Sequence, residues 1–475
     1  MNASDAPEFF NFATDIFDAW ARTRPQARAL WCVDGRTGAE QRLTFAELAA
    51  ASRRAADLFA TAGVTRGDRV LVMLPRLPAW WTAMLGLIRL GAVPIPATPQ
   101  LTARDIAYRV EAAGIRAMLT DADGARKADG FDGLRFCVGD APAGWAEWDA
   151  ALRAARDTFE APPTRSSDPG IIYFTSATTG APKMVLHTQA SYGLAHRLTG
   201  QLWLDLKPDD VHWNISDVGW AKAAWSSFFG PWHQGACVFA FDSHGKFDPA
   251  RALDVLEAFP ITTWCAPPTA LRLLVRQPLA KRRFRHLRHC VTAGEPLNAE
   301  VFKLWREATG LDLYEGYGQT ETVILAGWFR CLGDRIRPGS MGRPTPGMSL
   351  ALIDEAGREV PPDTEGEIAL RLKPHRPLGL FAEYWRSPEE TAAHFRGEWY
   401  LTGDRARRDA DGGLWFIGRN DDIIKSSGHR IGPFEVESVL LEHPAVLEVA
   451  VVGKPDPLRS QIVKAFVVVR DGFTP

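Results

Sequence analysis

The chain has 475 residues, too many for one ordinary hydrophobic core, so two or more domains are expected. It is 46% hydrophobic and 24% charged with a formal net charge of −2, which is typical of a globular protein and argues against a nucleic-acid partner. Six scattered cysteines without a C-x-x-C pair argue against a disulfide framework or a zinc site. The sequence starts without a basic segment followed by an apolar run, and no apolar stretch reaches about 18 residues, so we expect a cytoplasmic protein without a membrane span.

The first part of the chain alternates between helical and strand patterns. Residues 44–62 read as an amphipathic helix with Thr44 as the N-cap, and residues 69–74 read as a buried strand. A second helix is expected over about residues 78–90, followed by a strand at 93–96. This alternation of helices and strands predicts parallel sheets with helical crossovers.

The later segments change in character. A strand at 171–174 follows a loop rich in Pro, Ser and Asp, and a second α/β stretch runs over about residues 211–317. From 339 to 418 short strands alternate with turns, which predicts a smaller β-rich subdomain. Charged residues at 418–422 separate two apolar runs, so we predict a large domain of parallel or mixed sheets over 1–419 and a small α+β domain over 420–475.

A segment rich in hydroxyl groups follows the strand at 171–174. Hydroxyls and backbone N–H groups can surround phosphate oxygens, and a lysine can neutralise their charge. The segment is not a Walker A loop because it lacks G-K-[ST], and a solvated Ser/Thr turn is the alternative. The candidate phosphate-binding residues are Thr175, Ser176, Ala177, Thr178, Thr179, Gly180, Ala181, Pro182 and Lys183.

This segment resembles the phosphate loop of the adenylate-forming (AMP-binding) superfamily, which includes acyl-CoA synthetases, luciferases and peptide-synthetase adenylation domains. In that family the loop holds the β- and γ-phosphates of ATP. Ala177 stands where the family usually has glycine. Because alanine adopts a positive φ only at a cost of about 1 kcal/mol, we expect weaker use of ATP than with glycine.

Further segments match the family's nucleotide site in order and spacing. The resemblance implies that Thr320 contacts the α-phosphate, that Glu321 binds magnesium, and that Tyr317 stacks on adenine. Asp404 has two acceptor oxygens, which suit the ribose diol. Lys183, Thr320 and Glu321 are the implied catalytic residues. The other implied nucleotide contacts are Gly294, Glu295, Pro296, Glu315, Gly316, Gly318, Gln319, Arg419 and Arg430.

The acyl pocket is expected around the segment at 213–220, which resembles the family's W-x-x-x-D-x-G-W. Trp220, Gly318 and Thr320 are its implied residues. Acetate-specific relatives carry a tryptophan where this chain has Gly318, so a longer or aromatic acid should fit. Segments at 10–13, 29–31, 74–81 and 96–100 resemble the medium-chain acyl-CoA synthetase branch, and the resemblance covers nearly the whole chain.

Residues 421–431 resemble the family's linker into a small C-terminal lid that rotates between two half-reactions, with Asp421 as the hinge. The implied coenzyme A contacts are Gln100, Ser427, Gly428, His429 and Arg459. The chain ends at Pro475 without the lysine of the family's P-[KR]-T-x-S-G-K stretch, so we expect a truncated lid and slow adenylation.

The sequence therefore predicts an AMP-forming acyl-CoA synthetase. Its substrates would be a medium-chain, branched or aryl carboxylic acid, ATP with Mg²⁺, and coenzyme A, and assembly into a homo-oligomer is left open. Two alternatives remain at this point. One is a catalytically impaired module that binds nucleotide or acyl groups, and the other is an adenylation enzyme that loads a carrier protein.

Overall fold

The computed structural model describes residues 5–175, 181–426, 429–456, 459–470 and 472–473. Its largest sheet has nine strands, of which the central six run parallel. The antiparallel edges are formed by one strand on one side and by two short strands on the other. In spatial order the strands are Arg343–Pro344, Ala326–Gly327, Leu313–Tyr317, His289–Ala293, Thr263–Cys265, Val211–Asn214, Cys237–Asp242, Arg28–Asp34 and Glu40–Thr44.

A second sheet of five parallel strands belongs to the first part of the chain. Its helices follow local signals: Thr44 and Glu47 form a capping box at the start of helix Phe45–Thr61, and Gly91 ends helix Pro78–Leu90 with a φ of 78°. These two helices and the strand that precedes the second one confirm the expectations for residues 44–96. The strands in order are Val93–Ala97, Arg69–Met73, Ile115–Asp121, Leu134–Val138 and Ala146–Glu147.

A three-stranded antiparallel sheet flanks the segment predicted to bind phosphate. Strand Pro169–Thr175 precedes this segment and strand Lys183–Thr188 follows it. The third strand, Glu383–Tyr384, pairs with the second one about 200 residues away in the chain. This pairing brings a distant segment beside Lys183.

The remaining strands form two antiparallel sheets. The β-rich subdomain contains strands Leu350–Ile353, Glu365–Arg371, Trp399–Arg408, Phe395–Arg396 and Leu414–Arg419. The C-terminal part contains strands His429–Ile431, Ile424–Ser426, Ser460–Val469 and Val446–Asp456, with helix Pro433–Leu441. The chain changes sheet between 419 and 424, where the domain boundary is predicted, and the boundary itself stays a prediction.

Helices cover the faces of the sheets, and the core between them is rich in aromatic side chains. Twelve of the seventeen tryptophans are buried, seven of them fully, which indicates a packing role for most tryptophans. In the part of the chain that the structure describes, no helix is both long and apolar enough to cross a bilayer. The further helical segments are Phe12–Phe17, Asp18–Thr23, Ala103–Ala113, Ala122–Lys127, Trp148–Ala154, Gln189–Gly193, His196–Leu198, Thr199–Trp203, Ala221–Ser226, Phe229–His233, Pro249–Ala258, Pro268–Leu274, Leu279–Lys281, Ala299–Thr309, Arg330–Leu332 and Pro388–Ala393. The predicted mixed α/β fold with a β-rich subdomain is confirmed.

Candidate active site

A cavity of about 1160 Å³ opens where strands His289–Ala293 and Leu313–Tyr317 end. In open α/β sheets, ligands commonly bind in the crevice outside the carboxyl ends of the parallel strands. The cavity brings together most of the predicted site residues from five distant segments. Those that line it are Thr175, Lys183, Trp220, Gly294, Glu295, Pro296, Glu315, Gly316, Tyr317, Gly318, Gln319, Thr320, Glu321, Asp404, Arg419 and Asp421.

Asp404 lies at the centre of a hydrogen-bond network on the wall of this cavity. The Tyr317 hydroxyl donates to its Oδ2 at 2.6 Å, and the Gln319 amide donates to the same oxygen at 2.7 Å. The Tyr400 hydroxyl in turn donates to Gln319 Oε1 at 3.1 Å. Burial raises the pKa of Asp404 to about 6. Because both donors contact Oδ2, Oδ1 can accept a hydroxyl from a ligand in the cavity.

A cluster of charged and polar side chains surrounds Lys183 on another wall. The Lys183 ammonium forms an ion pair with Glu390, lies 3.4 Å from His394 Nε2, and stands 5.0 Å from the centroid of the Tyr384 ring. The hydrogen bond from Lys183 lowers the pKa of Glu390. The Tyr384 hydroxyl donates to Glu321 Oε1 at 2.7 Å, so the cluster links the phosphate-loop lysine to the predicted metal ligand.

Three members of this cluster, Tyr384, Glu390 and His394, escaped the sequence analysis. The Ser-Pro-Glu-Glu text at 387–390 does signal the start of a helix with acidic residues in its first turn, and helix Pro388–Ala393 begins there. Nothing local indicates that this helix lies beside Lys183, because the proximity depends on the pairing of Glu383 with Leu186 and of Tyr384 with Val185.

The residues present fit a magnesium ion that arrives with a polyphosphate. Within the described ranges no group of three or more His, Cys, Asp or Glu side chains could hold a metal ion by itself. Glu321 uses Oε1 for the Tyr384 hydroxyl, which leaves Oε2 as a ligand. Mg²⁺ is commonly bound by one or two carboxylates together with substrate phosphates and water, and a single glutamate suits that arrangement.

The apolar side of the cavity contains two tryptophans of different exposure. Trp220 is 49% exposed and precedes helix Ala221–Ser226, whereas Trp225 on that helix is 5% exposed. A Cβ added at Gly318 would lie 2.5 Å from the Trp225 ring and 2.6 Å from the carbonyl oxygen of Val323. The space beside Gly318 is therefore filled by the Trp225 ring. Trp225 forms the wall on that side, and the expectation that Gly318 lets a longer or aromatic acid fit stays a prediction.

Lys222 is a half-buried lysine in the same wall, and the sequence analysis missed it. Its ammonium donates a hydrogen bond to the carbonyl oxygen of Ala293, and burial lowers its pKa. A Cβ added at Gly294 would lie 2.8 Å from Lys222 Nζ, so this glycine makes room for the ammonium. The available signal was a lone lysine within the apolar stretch at 220–229.

Two predicted nucleotide contacts, Glu315 and Glu295, differ in their burial. Glu315 is 4% exposed, and burial raises the pKa of its carboxyl well above the ordinary value. Glu295 is exposed and accepts a hydrogen bond from Thr269 at 2.8 Å and an ion pair from Arg272 at 3.3 Å. Both stay predictions as ligand contacts.

Several predicted residues do not line this cavity. Gln100 and Arg459 are exposed, and their backbone N–H groups bind Thr98 Oγ1 at 3.3 Å and Asp456 Oδ1 at 2.8 Å. Ala181 and Pro182 are described but do not belong to the lining. Residues 176–180, 427 and 428, which include Ser176, Ala177, Thr178, Thr179, Gly180, Ser427 and Gly428, lie outside the described residues, and for His429 and Arg430 only the backbone is described.

Comparisons with known proteins identify the family. Residues 17–385 match the family described as AMP-binding enzyme, and residues 435–475 match the AMP-binding enzyme C-terminal domain. The chain is 46% identical to the acyl-coenzyme A synthetase ACSM3, mitochondrial, of Mus musculus, covering 99% of this chain and 82% of that protein. It is 45% identical to the acyl-coenzyme A synthetase ACSM5, mitochondrial, of Homo sapiens, covering 98% of this chain and 82% of that protein.

Solved structures of CoA-ligating enzymes have a similar fold. The Brucella canis acyl-CoA synthetase superposes with a TM-score of 0.82 at 34% identity, covering 98% of this chain and 85% of that one. The anthranilate CoA ligase AuaEII in complex with anthranoyl-AMP superposes with a TM-score of 0.90 at 28% identity, covering 100% of this chain and 90% of that one. The resemblance found in the sequence is confirmed, and the chain belongs to the AMP-binding enzyme family.

Proposed function

We propose that this chain is an acyl-CoA synthetase that joins a carboxylic acid to coenzyme A with ATP, forming AMP and pyrophosphate. The observation that carries the proposal is one cavity with three chemically different walls. The Asp404 network suits a ribose, the Lys183–Glu321 cluster suits a polyphosphate with its cation, and the side with Trp220 and Trp225 suits an apolar acyl group. The relatives named above as acyl-CoA synthetases support it.

In the first half-reaction a carboxylate oxygen attacks the α-phosphorus of ATP, and pyrophosphate leaves. Lys183 neutralises charge on the polyphosphate once its ion pair with Glu390 opens, and the Thr320 hydroxyl contacts the α-phosphate. Asp404 accepts hydrogen bonds from the ribose, with Arg419 close by. Glu321 would hold Mg²⁺, which lowers the repulsion between the carboxylate and the polyphosphate.

In the second half-reaction the thiolate of coenzyme A attacks the acyl carbonyl, and AMP leaves. A neighbouring cavity of about 950 Å³ adjoins the first and shares Glu295, Phe416, Arg419 and Asp421 with it. It lies between helix Pro268–Leu274 and helix Pro433–Leu441. We infer that coenzyme A approaches from this side. The contacts at 100, 427–429 and 459, the hinge at Asp421 and the domains 1–419 and 420–475 belong to this proposal.

The acid is proposed to be a medium-chain fatty, branched or aryl acid. Trp225 limits the depth of the apolar side, and each methylene buried there contributes about 0.8 kcal/mol. A cytoplasmic location stays a proposal, because the mammalian relatives are named as mitochondrial proteins.

The test is exchange of labelled pyrophosphate into ATP with acetate, octanoate, 2-methylbutyrate and benzoate, followed by consumption of the coenzyme A thiol. We expect exchange with the larger acids, little with acetate, and loss of exchange in Glu321→Gln. Glu300→Gln, an exposed change on helix Ala299–Thr309, is the control.

Three results would overturn parts of the proposal. Exchange without consumption of the free thiol would indicate an adenylation enzyme that loads a carrier protein. Binding of MgATP without exchange would indicate an impaired nucleotide-binding module. Normal exchange in Glu321→Gln would contradict the role of the Lys183–Glu321 cluster.

A further inference from the structure

The backbone carbonyl of Thr320 is held by two side-chain donors. His187 Nε2 lies 2.7 Å from this oxygen, and the Tyr192 hydroxyl also lies 2.7 Å from it. Both side chains are fully buried. They come from strand Lys183–Thr188 and helix Gln189–Gly193, which directly follow the phosphate loop, whereas Thr320 lies more than a hundred residues further on.

The directions of these hydrogen bonds follow from the chemistry of each group. A carbonyl oxygen only accepts, so His187 Nε2 carries the proton and Nδ1 accepts from the Ser191 hydroxyl at 3.1 Å. Burial lowers the pKa of His187 to about 3, so the ring is neutral at physiological pH. The Tyr192 hydroxyl donates to Thr320 and accepts from Trp225 Nε1 at 3.3 Å.

The two donors also support each other. Their rings stack with centroids 3.5 Å apart, and a capping box between Thr188 and Ser191 starts the helix that carries Tyr192. A carbonyl oxygen has two lone pairs, and here both have a donor. The peptide plane between Thr320 and Glu321 is therefore held from two sides.

We propose that His187 and Tyr192 are positioning residues for MgATP. They hold the Thr320 carbonyl, and this orients the Thr320 hydroxyl toward the α-phosphate and the Glu321 carboxylate toward the cation. The proposal rests on the proposed function. It connects strand Lys183–Thr188 and helix Gln189–Gly193 with the segment that carries Thr320 and Glu321.

If Tyr192 had a structural role only, Tyr192→Phe would affect the binding of MgATP no more than the loss of another buried tyrosine hydroxyl. Tyr173 provides the matched control for this comparison. Tyr173 is also fully buried, its ring centroid lies 6.3 Å from that of Tyr192, and its hydroxyl has no hydrogen-bond partner among the residues that the structure describes. Tyr173→Phe and Tyr192→Phe therefore remove the same atom from the same region, but only Tyr192→Phe removes one of the two donors to the Thr320 carbonyl.

The test is calorimetric titration of the chain with ATP, once with Mg²⁺ and once with EDTA, together with pyrophosphate exchange. Loss of one hydrogen bond predicts that MgATP affinity falls about three- to tenfold in Tyr192→Phe and His187→Ala. Affinity for metal-free ATP falls by less, about twofold, because only the Thr320 contact with the α-phosphate is then weakened. His187→Gln, whose amide can donate, recovers part of the loss, and Tyr173→Phe binds like the unaltered chain.

The outcomes separate this proposal from the proposed function. If Tyr192→Phe and Tyr173→Phe bind MgATP alike, or if affinity falls equally with and without Mg²⁺, the positioning role is refuted while exchange by the unaltered chain still supports the synthetase. If the affinity pattern appears but no acid supports exchange, the positioning role stands and the synthetase proposal fails. No binding of MgATP by the unaltered chain would overturn both.

Discussion

Replacement of Asp404 by asparagine should stabilise the protein and weaken its binding of ATP. Asp404 is 6% exposed, and burial raises its pKa from an ordinary 3.8 to about 6. Asparagine has nearly the same shape, and its carbonyl oxygen can accept the hydrogen bonds from Tyr317 and Gln319. The substitution removes the cost of a buried negative charge and keeps the buried donors satisfied.

The pH dependence has a definite sign. Because the folded protein holds this proton more tightly than the unfolded chain, stability falls as the pH rises from about 4 to about 6 and then levels off. The shift corresponds to a cost of about 3 kcal/mol at pH 7 and about half of that at pH 5. Asp404→Asn should therefore gain stability over the unaltered chain, and the gain should be larger at pH 7.

The affinity for ATP should fall in Asp404→Asn, although its stability should rise. Asparagine presents an amide donor where Asp404 Oδ1 can accept a ribose hydroxyl, so affinity should fall by about tenfold or more. In the unaltered chain the affinity should decline as the pH falls through about 6, and Asp404→Asn should lack this decline.

The measurements are urea denaturation and calorimetric titration with ATP between pH 5 and pH 8. Asp129→Asn, at an exposed position, is the control and should change neither quantity. A loss of stability in Asp404→Asn, or a gain that is the same at pH 5 and pH 7, would refute the reasoning about the buried charge. Unchanged ATP affinity would refute the ribose contact.

Three further substitutions test other parts of the site. Lys222→Met replaces the ammonium of the acyl wall by an apolar side chain of similar length, so the KM for octanoate in pyrophosphate exchange should fall. An unchanged or higher KM for octanoate would contradict this expectation. Glu390→Gln removes the partner of Lys183 and should lower the KM for ATP by up to about threefold. The neighbouring Glu389→Gln is its control and should have no effect on that KM. Ala177→Gly, predicted from the sequence at a position outside the described residues, should raise kcat/KM for ATP by about fivefold, and no increase would exclude a backbone cost at this position.

Local signals in the sequence determined the elements and the identities of the ligand-binding segments. The capping box of Thr44 and Glu47 and the end of a helix at Gly91 depend on residues within one helical turn, so the sequence alone predicted helices Phe45–Thr61 and Pro78–Leu90. The predicted nucleotide segments are each short and contiguous, and their family membership could be recognised without knowledge of their arrangement.

The tertiary structure alone decided which side chains meet. Glu390 and Tyr384 reach Lys183 because a two-residue strand pairs across about 200 residues, and such pairing leaves no periodic signal in either segment. The Trp225 ring occupies the space beside Gly318, so an aromatic side chain forms the pocket wall next to this glycine. Gln100 and Arg459 do not line the first cavity, and their contacts with coenzyme A stay predictions.

The sequence and the tertiary structure determine different features because the interactions involved act over different distances along the chain. Caps, turns and alternating burial are set by neighbours within about four residues, so they can be read along the chain. Packing volume, long-range strand pairing and the burial that raises the pKa of Asp404 depend on the whole fold, and the same residues in another arrangement would have different partners.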